Sequence, residues 1–516
     1  MIAVAVVGLA ARFGPSARSQ IPDDVLVVGQ VAEPKSLDPH AVTSLNDFRI
    51  LVNVYDGLVR FKEGRLEVEP ALAASWTISD DGLVYTFRLR EGVRFHDGSP
   101  FDAEAVEFNI GRMLDESHPF HETGPFPLAF MLEAIERVEV VDRHTVRLVL
   151  EEPYAPLLSN LAYPIGLIVS PAAVRERGTD YGRQPSGTGP FAFSEWTSRR
   201  RVVLEGNPDY WDGAPRLRTV VFRPIGDAIT RVTELRSGGV DLIVEVPSDH
   251  IAEFRASSEF EVYERVGPHL WFLILNTREG PFADRRVRQA ANYAVNKRAL
   301  VDELLEGTAT VAAGPVPAAF EWAYDEELEP YPYDPDRARQ LLAEAGYGDG
   351  VTVTFYVTQG GSGMLEPVLL GTAIQADLQR VGIEAKIESY EWNTFLSRVN
   401  SGLGSAADLA EMAWMTNDPH ILPALTLHSD ALPAAGGFNS GYYSNPEVDS
   451  LLDEARITTV AAERARLYKH LQRIVHRDAP WVFVASWKQN AVATARVAGF
   501  QLQPSFFLRL HDTYKR

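Results

Sequence analysis

Val351-Thr352-Val353-Thr354-Phe355-Tyr356-Val357 sets Val351, Val353, Phe355 and Val357 at every second position, the period of a strand with one buried face. A stretch of helical character follows near 366–380, and Ile383, Ala385 and Ile387 then alternate again. Strand, helix and strand in this order make a crossover unit, for which parallel pairing and a right-handed connection are expected. Upstream, Asp334-Pro335 is a cap followed by proline at the first helical position, with Ala338, Leu341, Leu342 and Ala345 at helical spacing and Gly346 as the stop. Downstream, a helix starting at Asn445-Pro446 buries Val448, Leu451, Leu452 and Ala455. Another carries Leu467, Leu471, Ile474 and Val475 and ends before Pro480.

The first half is richer in strands. Tyr85, Phe87 and Leu89 alternate with Thr86, Arg88 and Arg90. Asp142-Arg143-His144 joins Arg137–Val141 to Thr145–Leu150 as a hairpin. Asp102 caps a helix with Val106, Ile110 and Met113 on one face. These elements mark a small mixed unit between about 60 and 184. Strands and helices alternate irregularly throughout, which predicts an α/β class with mixed sheets. No internal repeat and no low-complexity linker divides the chain, as expected for lobes that share strands from distant segments.

The chain has 516 residues, a net charge of −21 and no cysteine. The acidic balance argues against nucleic acid or anionic membrane as the main partner. The absence of cysteine excludes disulfides, zinc–thiolate sites, iron–sulfur clusters and thiol nucleophiles. Met1–Ala11 is an apolar run too short to span a bilayer, and its length suits the core of a secretory signal peptide over 1–20. No positive segment precedes the run, so a buried strand is the other reading. No HExxH, GxSxG, P-loop or GxGxxG motif is present. His118 and His121 flank Pro119 with no carboxylate-rich partner motif and are read as surface-loop residues. No cofactor, no metal and no catalytic residue is expected.

Val31-Ala32-Glu33-Pro34-Lys35-Ser36-Leu37-Asp38-Pro39-His40 resembles the opening of the extracytoplasmic solute-binding proteins of family 5, which serve ABC importers of peptides, nickel chelates and related solutes. Tyr55-Asp56-Gly57-Leu58-Val59, Pro70–Trp76, Val93-Arg94-Phe95-His96-Asp97-Gly98, Gly187–Phe191, Asn207–Trp211, Phe282–Ala290 and Tyr443–Pro446 follow in that family's order. The resemblance runs from about 25 to 510. It implies a two-lobed periplasmic binding protein of type II, cluster C, with an extra subdomain in lobe one. Lobe one takes 25–59, 185–267 and 481–516, with 60–184 inserted, and lobe two takes 268–480. The implied role is a monomeric periplasmic receptor, not an enzyme. It closes over a small peptide or peptide-like solute and delivers it to an inner-membrane permease with ATPase subunits.

Met412-Ala413-Trp414-Met415-Thr416-Asn417-Asp418-Pro419-His420 resembles the family's cleft-lining strand and the turn after it. In peptide-binding members the strand backbone pairs with the ligand and a carboxylate holds its ammonium. Those members carry Asp three residues after the Trp. This chain has Asn417 there and then Asp418, which is either the ammonium anchor or the cap of the next helix. Trp414 is the expected aromatic wall. The resemblance puts Thr43, Ser44, Leu45 and Asn46 on the opposite wall. It also puts Thr358-Gln359-Gly360-Gly361-Ser362-Gly363 where dipeptide binders have an Arg for the ligand carboxylate, so Gln359 becomes a candidate contact. Asp418-Pro419-His420 with His428 resembles nickel-chelate binders and keeps a metal-chelate receptor as the alternative. A secreted enzyme is the distant one.

Overall fold

The computed structural model describes residues 21–361 and 363–516. The expected signal segment, 1–20, lies outside the described residues. In chain order the framing elements begin with β1 (Val25–Gln30), α1 (Leu45–Val54), β2 (Ala73–Ile78), β3 (Val84–Leu89), α2 (Ala103–Leu114), β4 (Ile135–Asp142), β5 (Thr145–Leu150) and α3 (Leu157–Leu161). Six strands follow: β6 (Phe191–Thr197), β7 (Arg201–Gly206), β8 (Thr219–Pro224), β9 (Leu242–Val244), β10 (Phe260–Val266) and β11 (His269–Leu275). Then come β12 (Ala309–Val311), α4 (Pro335–Glu344), β13 (Val351–Thr358), α5 (Pro367–Arg380), β14 (Ile383–Tyr390) and β15 (Leu409–Met415). The last are α6 (Ile421–Leu427), α7 (Pro446–Ile457), α8 (Ala461–Asp478) and β16 (Trp481–Thr494).

Twelve strands make the principal sheet, in the order β14-β13-β15-β11-β16-β9-β1-β8-β7-β6, with β10 and β12 also paired to β16. The strand–helix–strand reading holds: β13 and β14 pair in parallel from Val351–Ile383 to Thr358–Tyr390. The connecting α5 buries Leu370, Ile374 and Leu378. The sheet is mixed, because β1 runs parallel to β8 and β9 while β16 is antiparallel to its partners. β16 pairs with β11 through Trp481–Ala485 and with β9 and β10 through its later residues. One continuous strand therefore belongs to both halves of the sheet. Trp481 is stacked on Phe272 of β11 at a centroid separation of 4.1 Å.

Local chemistry sets the helix ends. The Asp102 carboxylate accepts from Ala105 N at the start of α2, Asp334 accepts from Arg337 N at α4, and Asn445 accepts from Glu447 N at α7. The hairpin of β4 and β5 closes a separate four-stranded sheet, β2-β3-β5-β4. Its core holds Tyr85, Phe87 and Leu89, the residues the alternation places inward, against Val146 and Leu148. Burying an apolar side chain of this size contributes about 1.5–3 kcal/mol.

Candidate functional site: two cavities at the end of β15

β15 pairs along its length with β11, from Leu409–Leu275 to Met415–His269. On its other side β13 reaches it only at Phe355–Leu409 and Tyr356–Ala410. Among the described residues, the last part of β15, Met412–Met415, therefore has a strand partner on one side only. Two cavities open beside this half-free end. A polar one of about 530 Å³ is lined by Thr43, Ser44, Leu45, Asn46, Glu245, Gly363 and Trp487. An apolar one of about 320 Å³ includes Phe61, Leu66, Leu128, Met131, Tyr154, Ile421, Ala424 and Leu425. Tyr163, Trp414 and Met415 line both, so the two adjoin across one aromatic wall. Phe438 holds Trp414 edge-on at a centroid distance of 5.3 Å.

The structure thus brings Thr43–Asn46 and Trp414 together from segments far apart in sequence. Ser44 caps α1, its hydroxyl accepting from Asn46 N, and so the positive end of α1 faces the polar cavity. Asn417 lines the apolar cavity, and its Nδ2 donates to Asn160 Oδ1 at 2.7 Å.

Asp418 corrects the ammonium-anchor expectation. Its carboxylate is fully buried and lines neither cavity. Arg464 of α8 grips it with both ends of its fork, Nη2 to Oδ1 at 2.6 Å and Nη1 to Oδ2 at 3.0 Å. The Ser159 hydroxyl donates to Oδ2 at 2.8 Å, and His420 N donates to Oδ1 at 2.9 Å. Four donors converge on two oxygens, leaving none for a ligand ammonium. Nor is Asp418 the cap residue of α6: that position is His420, and Asp418 accepts from His420 N in the turn just before the helix. Burial opposes the charge on Arg464, but Asp418 outweighs it and holds the guanidinium pKa above its ordinary value.

Gln359 is a second correction. It is exposed, lines neither cavity, and uses its backbone N–H on Tyr390 O at 2.8 Å. The glycine-rich turn reaches the site through Gly363, whose carbonyl accepts from His269 Nε2 at 2.8 Å. His269 Nδ1 accepts from Trp487 N at 3.1 Å, so one imidazole ties the turn to β16. Burial pulls the pKa of His269 down to about 4 and keeps the ring neutral. His420 lines the apolar cavity, whereas His428 does not, so the two histidines of the metal-chelate alternative share neither of these cavities. Burial, reinforced by Arg464, lowers the His420 pKa to about 3.

Tyr163, Glu245 and Trp487 escaped the sequence reading. Glu245 follows β9 with φ of 54°, a left-handed conformation uncommon for a non-glycine residue. Its carbonyl accepts from Arg231 Nη2 at 2.9 Å, and its Oε1 lies 2.8 Å from Nη1 of the buried Arg49. Nothing in a single sequence marks a left-handed Glu. Trp487 follows a run of inward residues and reads as core.

Residues 67–432 match the profile of the bacterial extracellular solute-binding proteins, family 5 Middle. The chain belongs to solute-binding family 5. This family 5 receptor is 35% identical to heme-binding protein A of Haemophilus influenzae, over 87% of this chain and 85% of that protein. It is 33% identical to di/tripeptide-binding protein 2 of Pseudomonas aeruginosa over 95% of each. Among solved structures, HbpA2 from Haemophilus parasuis superposes with a TM-score of 0.88 at 30% identity, covering 95% of this chain and 100% of that one. DppA from Helicobacter pylori in complex with the peptide STSA gives 0.75 at 32% identity, covering 95% and 98%. The fold is that of a two-lobed periplasmic binding protein with mixed sheets and an added subdomain, and the family is one of solute receptors.

Proposed function

We propose that this family 5 receptor captures a peptide or peptide-like solute in the polar cavity, with its backbone along the free edge of β15. The half-free edge at Met412–Met415 carries this reading. An extended peptide pairs with an exposed strand edge through N–H and C=O groups that every peptide has, which gives affinity tolerant of side-chain identity. Thr43, Ser44, Leu45 and Asn46 supply the opposite wall, and Trp414 the aromatic contact. The similarity to receptors named for di- and tripeptides, and to one solved with a bound peptide, supports the same class.

The remaining parts of the proposal follow from family membership. Lobe one comprises 25–59, 185–267 and 481–516 with 60–184 inserted, lobe two comprises 268–480, and the crossings near 267 and 480 form the hinge. β11 and β16 start just after those crossings. The receptor works as a periplasmic monomer and hands its solute to an inner-membrane ABC permease. Native mass spectrometry of the purified protein, followed by denaturation, identifies what it carries. A co-purified peptide or peptide conjugate is expected. A non-peptide solute would overturn the reading, and stoichiometric nickel would replace it with the chelate alternative.

A further inference from the structure

The apolar cavity is built differently from its polar neighbour. No Asp, Glu, Lys or Arg lines it. Asp418, next to the lining residue Asn417, is paired with Arg464 and buried away from the cavity. The polar groups on the wall are neutral. Asn417 and Asn160 are paired with each other, and Tyr154 keeps its proton because burial raises its pKa. His420 stays neutral because burial lowers its pKa to about 3. Thr416 and Ser505 add only uncharged hydroxyls, and the rest of the surface is mainly aliphatic or aromatic, contributed by both sides of the cleft: Leu128 and Met131 on one, Ile421, Ala424 and Leu425 on the other.

Tyr163, Trp414 and Met415 line both cavities, so this space lies directly beside the site where the solute backbone is placed. A side chain leaving a backbone held at the end of β15 can therefore enter it. We propose that the 320 Å³ cavity is a selectivity subsite for one bulky, uncharged apolar side chain of the solute, aromatic or branched aliphatic. Two physical terms select that class. Apolar area removed from water favours entry, in proportion to the size of the group. A charged side chain finds no counter-ion there and pays its desolvation without return. This inference rests on the peptide reading and adds which peptides are preferred.

Calorimetric titration of the full receptor with free dipeptides tests it. The probes are Gly-Gly, Phe-Gly and Gly-Phe, with the Lys and Glu counterparts of the last two. The tighter of the two Phe peptides should bind at least tenfold better than Gly-Gly and at least tenfold better than its Lys and Glu counterparts. Ala424 is half-buried on α6, so Ala424→Phe fills the space from a tolerant position and should erase the Phe preference. Leu425→Lys places a cation on the same wall and should move the preference toward the Glu peptide. Circular dichroism verifies that each variant is folded, and the wild-type series decides the matter even if neither variant is. Equal affinities across Phe, Gly, Lys and Glu, or a Phe preference that survives Ala424→Phe, would overturn the subsite alone. Binding of none of the panel, with a non-peptide found by mass spectrometry, would overturn the peptide reading and the subsite with it.

Discussion

Replacing Asp418 by Asn separates a structural carboxylate from a ligand anchor. Asn has the shape of Asp, and its amide oxygen can accept as Oδ1 does, so the contact from His420 N survives the exchange. With the amide oxygen at Oδ1 the contact from Arg464 Nη2 survives as well, but the one from Arg464 Nη1 to Oδ2 is lost. Whichever way the amide is turned, its NH₂ faces an Arg464 donor, because Arg464 donates to both oxygens, whereas the Ser159 hydroxyl can turn to accept. Arg464 is itself nearly buried, at 7% side-chain exposure, and it keeps its charge with no anion beside it. Removing one partner of a buried ion pair costs about 3–5 kcal/mol. That is a large part of the roughly 5–15 kcal/mol by which a folded domain exceeds its unfolded state.

The expected outcome is therefore a large loss of stability in the unliganded protein. Urea denaturation followed by tryptophan fluorescence measures it. Solute affinity, measured at low temperature where the variant is folded, should change by less than about threefold, or 0.7 kcal/mol. Arg464→Met in the Asp418→Asn background removes the orphaned cation and should recover part of the loss; the double-mutant cycle isolates the coupling. The opposite pattern refutes the reasoning. A variant as stable as wild type but a hundredfold weaker in binding would return Asp418 to the role of ammonium anchor.

Trp414→Ala removes the wall shared by both cavities and should raise the Kd of the co-purified solute at least about tenfold, near 1.4 kcal/mol by titration calorimetry. Asp47 lies in α1, where burial raises its pKa from 3.8 to about 6. The folded state thus holds this proton more tightly than the unfolded chain, so the group's effect is to erode stability as pH rises from 3.8 through about 6. Asp47→Asn should raise stability at pH 7.5, by up to about 3 kcal/mol, and leave it unchanged near pH 4; equal gains at both pH values would refute the assignment. Small-angle scattering with saturating solute should show a more compact particle of unchanged mass. An unchanged radius would count against lobe closure.

The legible part of this protein is its local part. The unit at 351–387 can be read because alternation and helical spacing are properties of adjacent residues, and its parallel pairing follows from the order of its pieces. The caps at Asp102, Asp334 and Asn445 are readable for the same reason. The site depends on residues that no spacing connects. Glu245 and Trp487 meet Trp414 because β9, β11, β15 and β16 are neighbours in one sheet, and Tyr163 reaches it from the turn after α3. Asp418 shows the limit most clearly. Its local motif, a carboxylate before Pro419, is equally consistent with a ligand contact and with a cap. Its partners lie 46 residues ahead in Arg464 and 259 residues behind in Ser159. Composition even favours the wrong choice, since 70 acidic side chains against 49 basic ones leave many carboxylates without a cation. Burial reverses that inference. A carboxylate with no exposure keeps its charge at tolerable cost only where a cation or several donors are buried with it, so the deeper Asp418 sits, the more its charge belongs to the fold and the less remains for a solute.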